Sequence, residues 1–104
     1  MYFEMRTYTI RPGMLASYMK LFEDVGLPVL KKYAELVGYW YTDIGELNQV
    51  VHIWRYESLD QRTINRKKLY ADNDWQNYFL PEALQMLEKQ ENKIMHAASF
   101  SPIK

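Results

Sequence analysis

The chain has no cysteine, and only four glycines, four prolines and two histidines among its 104 residues. Without cysteine, disulfides and thiolate chemistry are excluded. So few glycines leave no glycine-rich phosphate loop and no dinucleotide fingerprint. His52 and His96 stand alone, with no H-x-H or H-x-x-x-H spacing, so no metal site is assigned. Thirteen basic residues balance thirteen acidic ones, and no net field draws the chain to nucleic acid or to an anionic membrane. No apolar run approaches the ~20 residues that cross a bilayer. Met1-Tyr2-Phe3-Glu4 opens directly in a strand pattern, with neither a charged n-region nor an apolar h-region. A cytoplasmic protein is the expectation, and the length suits one domain over residues 1–104.

Aromatic residues, by contrast, are plentiful: nine tyrosines, four phenylalanines and three tryptophans. Many of them recur at every second position, and a strand sends alternate side chains to opposite faces. Glu4, Arg6 and Tyr8 therefore share one face, and Phe3 and Met5 the other. In Gln49-Val50-Val51-His52-Ile53-Trp54-Arg55-Tyr56, the side chains of His52, Trp54 and Tyr56 share a face opposite Val51 and Ile53. The Phe3/Met5/Val51/Ile53 side reads as an ordinary apolar core. The other side is aromatic and polar together, as in a lined cavity. One small sheet with helices on one side cannot bury so many aromatics, and a second copy of the chain is the simplest cover for the second face.

Residues 2–10 form the first strand, and Pro12-Gly13 turns the chain. Leu15, Tyr18, Met19, Phe22, Val25, Gly26, Val29, Leu30 and Tyr33 follow the spacing of an amphipathic helix, with a kink expected near Gly26-Leu27-Pro28. Residues 36–44 and 49–56 read as a hairpin turning at Gly45 and Asn48. Ser58-Leu59-Asp60-Gln61 is a capping box that opens a second helix. Asp72 reads as an N-cap for a further helix carrying Trp75, Tyr78 and Phe79, which Pro81 interrupts. Trp75 is assigned to core or interface packing. Residues 89–97 read as the last strand, and the tail from Ser99 as loose or lying on a neighbouring subunit. The order β-α-β-β-α-β is an α+β, ferredoxin-like split unit with an antiparallel sheet. The first strand then lies between the third and fourth, and the Glu4/Arg6/Tyr8 row neighbours the His52/Trp54/Tyr56 row.

The chain also resembles a known family. The strand Glu4-Met5-Arg6-Thr7-Tyr8 followed by Pro12-Gly13, the hairpin Gly45-Glu46-Leu47-Asn48-Gln49-Val50-Val51-His52-Ile53-Trp54-Arg55-Tyr56, the Asp72 to Trp75 spacing and Gln90-Glu91-Asn92 are together similar to the NIPSNAP family, over roughly residues 2 to 102. The resemblance implies one NIPSNAP-like domain whose ferredoxin-like subunit pairs into a dimeric α/β barrel. It implies no defined activity.

The candidate chemistry sits on the polar aromatic face. Arg6 is either half of a structural ion pair with Glu4 or a clamp for a carboxylate or phenolate. His52 is the candidate acid or base, or else a core histidine with a satisfied ring. Tyr8 could donate a proton or bind an oxyanion. Glu4, Trp40, Trp54 and Tyr56 complete the expected lining. Arg62, Arg66, Lys67 and Lys68 are read as the solvated side of a helix. The third strand does not match the K/R-G-F/Y-G/A-F-V-x-F/Y signature of RNA-recognition domains, so nucleic-acid binding is rejected. Haem ligation through His52 rests on fold analogy alone, and no cofactor is assigned. Two functions stay open. One is a homodimer that encloses a small aromatic or acidic molecule between its two sheets and acts as a cofactor-free oxygenase or a proton-transfer isomerase. The other is a non-catalytic interaction module with a filled barrel.

Overall fold

The computed structural model describes all 104 residues. Strand β1 (Tyr2–Ile10) leads into α1 (Leu15–Leu21), a π-helical turn (Phe22–Gly26) and α2 (Leu27–Leu30), which together make one rod. The hairpin of β2 (Glu35–Tyr41) and β3 (Gln49–Tyr56) follows. Helix α3 (Leu59–Ala71), a second π turn (Trp75–Phe79), α4 (Leu80–Met86) and β4 (Leu87–Met95) complete the chain. The strands lie in the order β2-β3-β1-β4, all antiparallel. This is the ferredoxin-like α+β arrangement. Glu4 faces Trp54 across the β1–β3 ladder, and Arg6 faces His52, so the two rows adjoin as their alternation requires.

Local chemistry accounts for most boundaries. Gly45 (φ 125°) and Asn48 (φ 61°) occupy left-handed or extended-positive backbone that most residues avoid, and they turn the hairpin. Ser58 Oγ accepts from the Gln61 N–H at 3.0 Å, and Gln61 Oε1 accepts in return from the Glu57 N–H at 2.9 Å. The reciprocal cap thus reaches one residue further back than the standard box. Asp72 Oδ1 accepts from the N–H groups of Asp74 and Trp75, while its Oδ2 accepts from Tyr33 Oη and Lys32 Nζ. Asp72 therefore caps one rod and ties it to the end of the other.

Neither proline breaks its helix. Pro28 and Pro81 each follow a π turn, and helical backbone continues on both sides. A proline ring collides with the carbonyl four residues before it and offers that carbonyl no N–H. The extra residue in a π turn shifts those carbonyls out of register with the ring. The expected kink at Pro28 and interruption at Pro81 are both absorbed in this way. Strand boundaries also move: β2 runs over Glu35–Tyr41 rather than 36–44, and β4 over Leu87–Met95 rather than 89–97.

The helices cover the face that carries the polar groups. Tyr18, Phe22, Val29, Leu30, Leu69, Trp75, Phe79 and Ala83 pack on Tyr8, Ile10, Val50, Trp54 and Tyr56. The Phe3/Met5/Val51/Ile53 side, read from sequence as the ordinary core, is instead the open one. There Met5, Val51 and Ile53 are only half-buried, and Trp40 is 52 % exposed. Area explains the choice. An aromatic side chain buries roughly 150–250 Å², well beyond valine or isoleucine, so helices gain most on the aromatic side provided its polar atoms find partners. Residues 97–103 run beside the open face and border a groove with Phe3, Val37 and Trp40.

The two π turns touch through Gly26. A Cβ added there would lie 2.6 Å from Cε1 and 2.8 Å from Cδ1 of Phe79. Gly26→Ala should therefore lower stability in urea by about 1–3 kcal/mol, the usual penalty of overpacking, against a helix-propensity gain of up to ~1 kcal/mol. A variant more stable than the wild type would show that this contact is slack.

Candidate functional site

Between sheet and helices lies a cavity of about 210 Å³. Its floor comes from alternate residues of β1 and β3, among them Glu4, Arg6, Tyr8 and His52. Its roof comes from the two π turns and the inner side of α3, including Phe22, Phe79, Trp75 and Arg66. A single chain builds it. The sequence reading placed this cavity between the sheets of two subunits. The helices cover that face instead, for the reason of area given above.

Glu4 is fully buried. Arg62 donates to both of its oxygens, from Nε at 3.0 Å and Nη2 at 2.7 Å. Arg6 Nη1 (3.1 Å) and Asn92 Nδ2 (2.9 Å) donate to Oε2. Burial pushes the carboxyl up from its ordinary value, but the bonds from Arg62 and Asn92 and the charges of Arg6 and Arg62 outweigh it and bring Glu4 down to about 2. Glu4 is thus an ionised anchor that accepts four bonds, three of them at Oε2, and a poor proton acceptor. Arg6 also donates from Nε to Tyr8 Oη at 2.6 Å, which leaves Nη2 uncommitted. Burial raises the Tyr8 phenol above its usual range, despite the opposing Arg6 charge. Tyr18 and Tyr39 are likewise pushed up, first by burial.

His52 is buried between rings. It stacks on Tyr39 at 4.6 Å and meets Tyr8 edge-on at 4.8 Å. Its Nδ1 accepts a 2.6 Å hydrogen bond from Trp54 Nε1. An indole can only donate, so Nδ1 carries the lone pair and the proton of the neutral ring sits on Nε2. That Nε2–H has no partner in the protein. Burial, then the Arg6 charge, lowers the imidazole from 6.5 to about 3, with Glu4 partly opposing. His52 is therefore a neutral hydrogen-bond donor. The expected task of removing a proton does not suit a ring whose lone pair is already occupied. A second buried donor, Trp75 Nε1–H, is also unpartnered, as is Tyr39 Oη.

The other candidates divide. Trp54 and Tyr56 are buried beside the cavity, and Trp54 acts by holding His52. Trp40 pairs with Val51 in the ladder and so projects from the open face, away from the site. Trp75 is core, stacked on Phe79 at 4.5 Å. The basic run splits. Lys67 and Lys68 are exposed, whereas Arg62 binds Glu4 and Arg66 lines the cavity, where it donates to Tyr70 Oη at 2.9 Å. Arg62, Arg66 and Leu69 stand at i, i+4 and i+7, so helical spacing could have put both arginines on the inner side with Leu69. Asn92 was marked only as part of the Gln90-Glu91-Asn92 motif, with no role attached. Haem does not fit: the cavity is smaller than the roughly 300 Å³ at which ordinary ligand sites begin, and Trp54 occupies one of the two imidazole nitrogens.

Comparison with known proteins agrees with this architecture. The NIPSNAP family model matches residues 3–102. Protein NipSnap homolog 3A of Homo sapiens is 35% identical over 91% of this chain, which covers 38% of that protein, so the chain spans about two fifths of the curated relatives it matches. A NIPSNAP family protein of unknown function from Agrobacterium tumefaciens is 44% identical, with a TM-score of 0.96 over 100% of this chain and 94% of the other. An uncharacterised NIPSNAP domain protein from Burkholderia xenovorans is 40% identical, with a TM-score of 0.93 over 98% and 99% of the two chains. A putative antibiotic biosynthesis monooxygenase from Nitrosomonas europaea shares the fold, with a TM-score of 0.69 over 93% and 98% of the two chains at 6% identity.

The buried imidazole makes stability depend on pH. Folded, His52 stays neutral down to about pH 3. Unfolded, it takes up a proton below about 6.5. The unfolded state thus binds more protons as pH falls through that value, and stability is lost on the acid side. Glu4 acts in the same direction lower down, between its ordinary 4.5 and about 2. From pH 6.5 to 5 the His52 contribution is roughly 2 kcal/mol. Urea midpoints at pH 7 and pH 5 should separate in the wild type and nearly coincide in His52→Gln. Equal separation in both would assign the loss to other groups.

Proposed function

This chain belongs to the NIPSNAP family, and we propose that it is a small-molecule protein that works as a homodimer, each subunit holding one small acidic molecule between its sheet and its helices. The observation that carries this reading is a pair of buried donors on residues of the cavity wall, His52 Nε2–H and Trp75 Nε1–H, that have no partner in the protein. Each unmade bond costs about 1–3 kcal/mol. A molecule with acceptor oxygens removes that cost. Volume alone does not favour this reading over a filled, structural interior; the orphaned donors support it. A dry apolar cavity of about 150 Å³ accepts benzene, so 210 Å³ leaves room for one ring and a small polar group.

The same groups bear on chemistry. Arg6, Tyr8 and the neutral His52 are arranged to stabilise negative charge on a bound oxygen, as in an enolate or phenolate. Proton-transfer isomerisation needs a base as well. Glu4 is held ionised, the His52 lone pair is taken and the tyrosines are held protonated. Of the two reactions considered, cofactor-free oxygenation of an already ionised substrate keeps more support than isomerisation.

The open face supports the dimer. Met5, Val51 and Ile53 leave an apolar surface beside Trp40 that no helix of the chain covers, and a second sheet is the complementary cover.

Native mass spectrometry of protein from its own host, beside the denatured sample, tests both parts. A dimer carrying a discrete added mass per subunit is expected, and Ile53→Lys on the open face should give a monomer that keeps the added mass. A dimer without added mass would turn the reading toward a structural module. A wild-type monomer would remove the dimer.

A further inference from the structure

The side chains around the cavity do not balance in charge. Arg6, Arg62 and Arg66 bring three guanidinium groups to the site and its rim, and Glu4 brings the one carboxylate. Arg62 and Arg6 between them spend one positive charge on Glu4. Arg66 has no carboxylate at all; its bond is to the neutral Tyr70 hydroxyl, and its guanidinium lies 5.3 Å from that ring. No other lining residue is ionised. The site therefore holds two positive charges more than negative ones, partly withdrawn from water. An uncompensated guanidinium in such a place is costly, and a bound anion offsets it.

The lining is also polarised. Arg6 donates to Tyr8 Oη, Gln90 faces Tyr8 in the β1–β4 ladder, and the Arg66 charge acts on the same phenol. Phe22 and Phe79 form an aromatic group, with ring centroids 6.0 Å apart. His52 adjoins both groups, 4.8 Å from the Tyr8 ring and 6.2 Å from that of Phe22.

Resting on the small-molecule reading above, we infer that the ligand is an amphipathic carboxylate taken up as a preformed anion: its charge lies against Arg6 and Arg66, and a single ring or short apolar chain reaches past His52 toward Phe22 and Phe79. The site selects the ionised acid over a neutral isostere, and it does not generate the anion, because Glu4 is held ionised by Arg62 and Arg6 and the His52 lone pair is taken by Trp54. Arg66 is the determinant that can be changed without touching the core. It sits on α3, is only half-buried, and makes none of the bonds to Glu4.

Isothermal titration with benzoate, benzamide and phenol at pH 7.5, in two buffers of different ionisation enthalpy, tests this. Benzoate should bind about tenfold or more tightly than benzamide, the worth of a charge-assisted bond. Its heat should show no proton exchanged with buffer. The preference should shrink in Arg66→Gln and return in part in Arg66→Lys, which restores charge without the planar fork. Benzamide or phenol binding as tightly as benzoate, proton release by phenol, or an unchanged preference in Arg66→Gln would overturn the anion inference and leave the small-molecule reading standing. No binding of any probe at millimolar concentration would overturn both.

Discussion

The carboxylate of Glu4 joins three elements at one fully buried point. It lies on the central strand β1, accepts two bonds from Arg62 of α3 and another from Asn92 of the edge strand β4, and sets the position of Arg6 beside it. Helices pack on this face because its aromatic residues offer the most area. They can do so only because the charge beneath them is matched in place. Breaking a buried pair of this kind typically costs 3–5 kcal/mol, since the remaining charges have nowhere to go. The network thus decides which face becomes the interior and how α3 is docked. It also turns Arg6 toward the cavity.

The chemistry of the site follows from what these bonds leave over. Glu4 is held ionised. Arg6 keeps one arm free, and Arg66 keeps a whole charge. Trp54 fills the lone pair of His52 and so directs its proton to Nε2, an atom with no partner. The result is a cavity of donors with aromatic walls and no poised base. Such a lining suits negative charge and is ill-suited to creating it. The residues that recommended themselves as acid–base machinery, His52 above all, are present in the site with a different capability.

The strands, their order and the register of the polar row were legible because a period of two is unambiguous and both rows carried bulky or ionisable residues. Ser58 and Asp72 announced their helices through caps. What could not be read was which face the helices would choose. Alternation separates the faces without ranking them, and Glu4, Arg6 and His52 can lie under helices only because Arg62 of α3 meets Glu4 there. Trp40 was assigned to the wrong face for a related reason: β2 carries a register shift between Leu36 and Gly38 that restarts its alternation. Arg62 and Arg66 were hidden in a basic run whose lysines do face solvent. Pro28 and Pro81 pointed to breaks, but π turns are compensations made by backbone, and no single residue type signals them.

The central claim is that His52 is a neutral donor, with its proton on Nε2 and its other nitrogen bound by Trp54. The chain has two histidines, so long-range ¹H–¹⁵N correlation spectra of the imidazoles can separate them with one variant. The account predicts that the His52 ring stays neutral, with Nε2 protonated, from pH 8 down to pH 5, while His96 is assigned by its loss in His96→Gln. A His52 ring protonated on both nitrogens, or carrying its proton on Nδ1 alone, would contradict the account at its root.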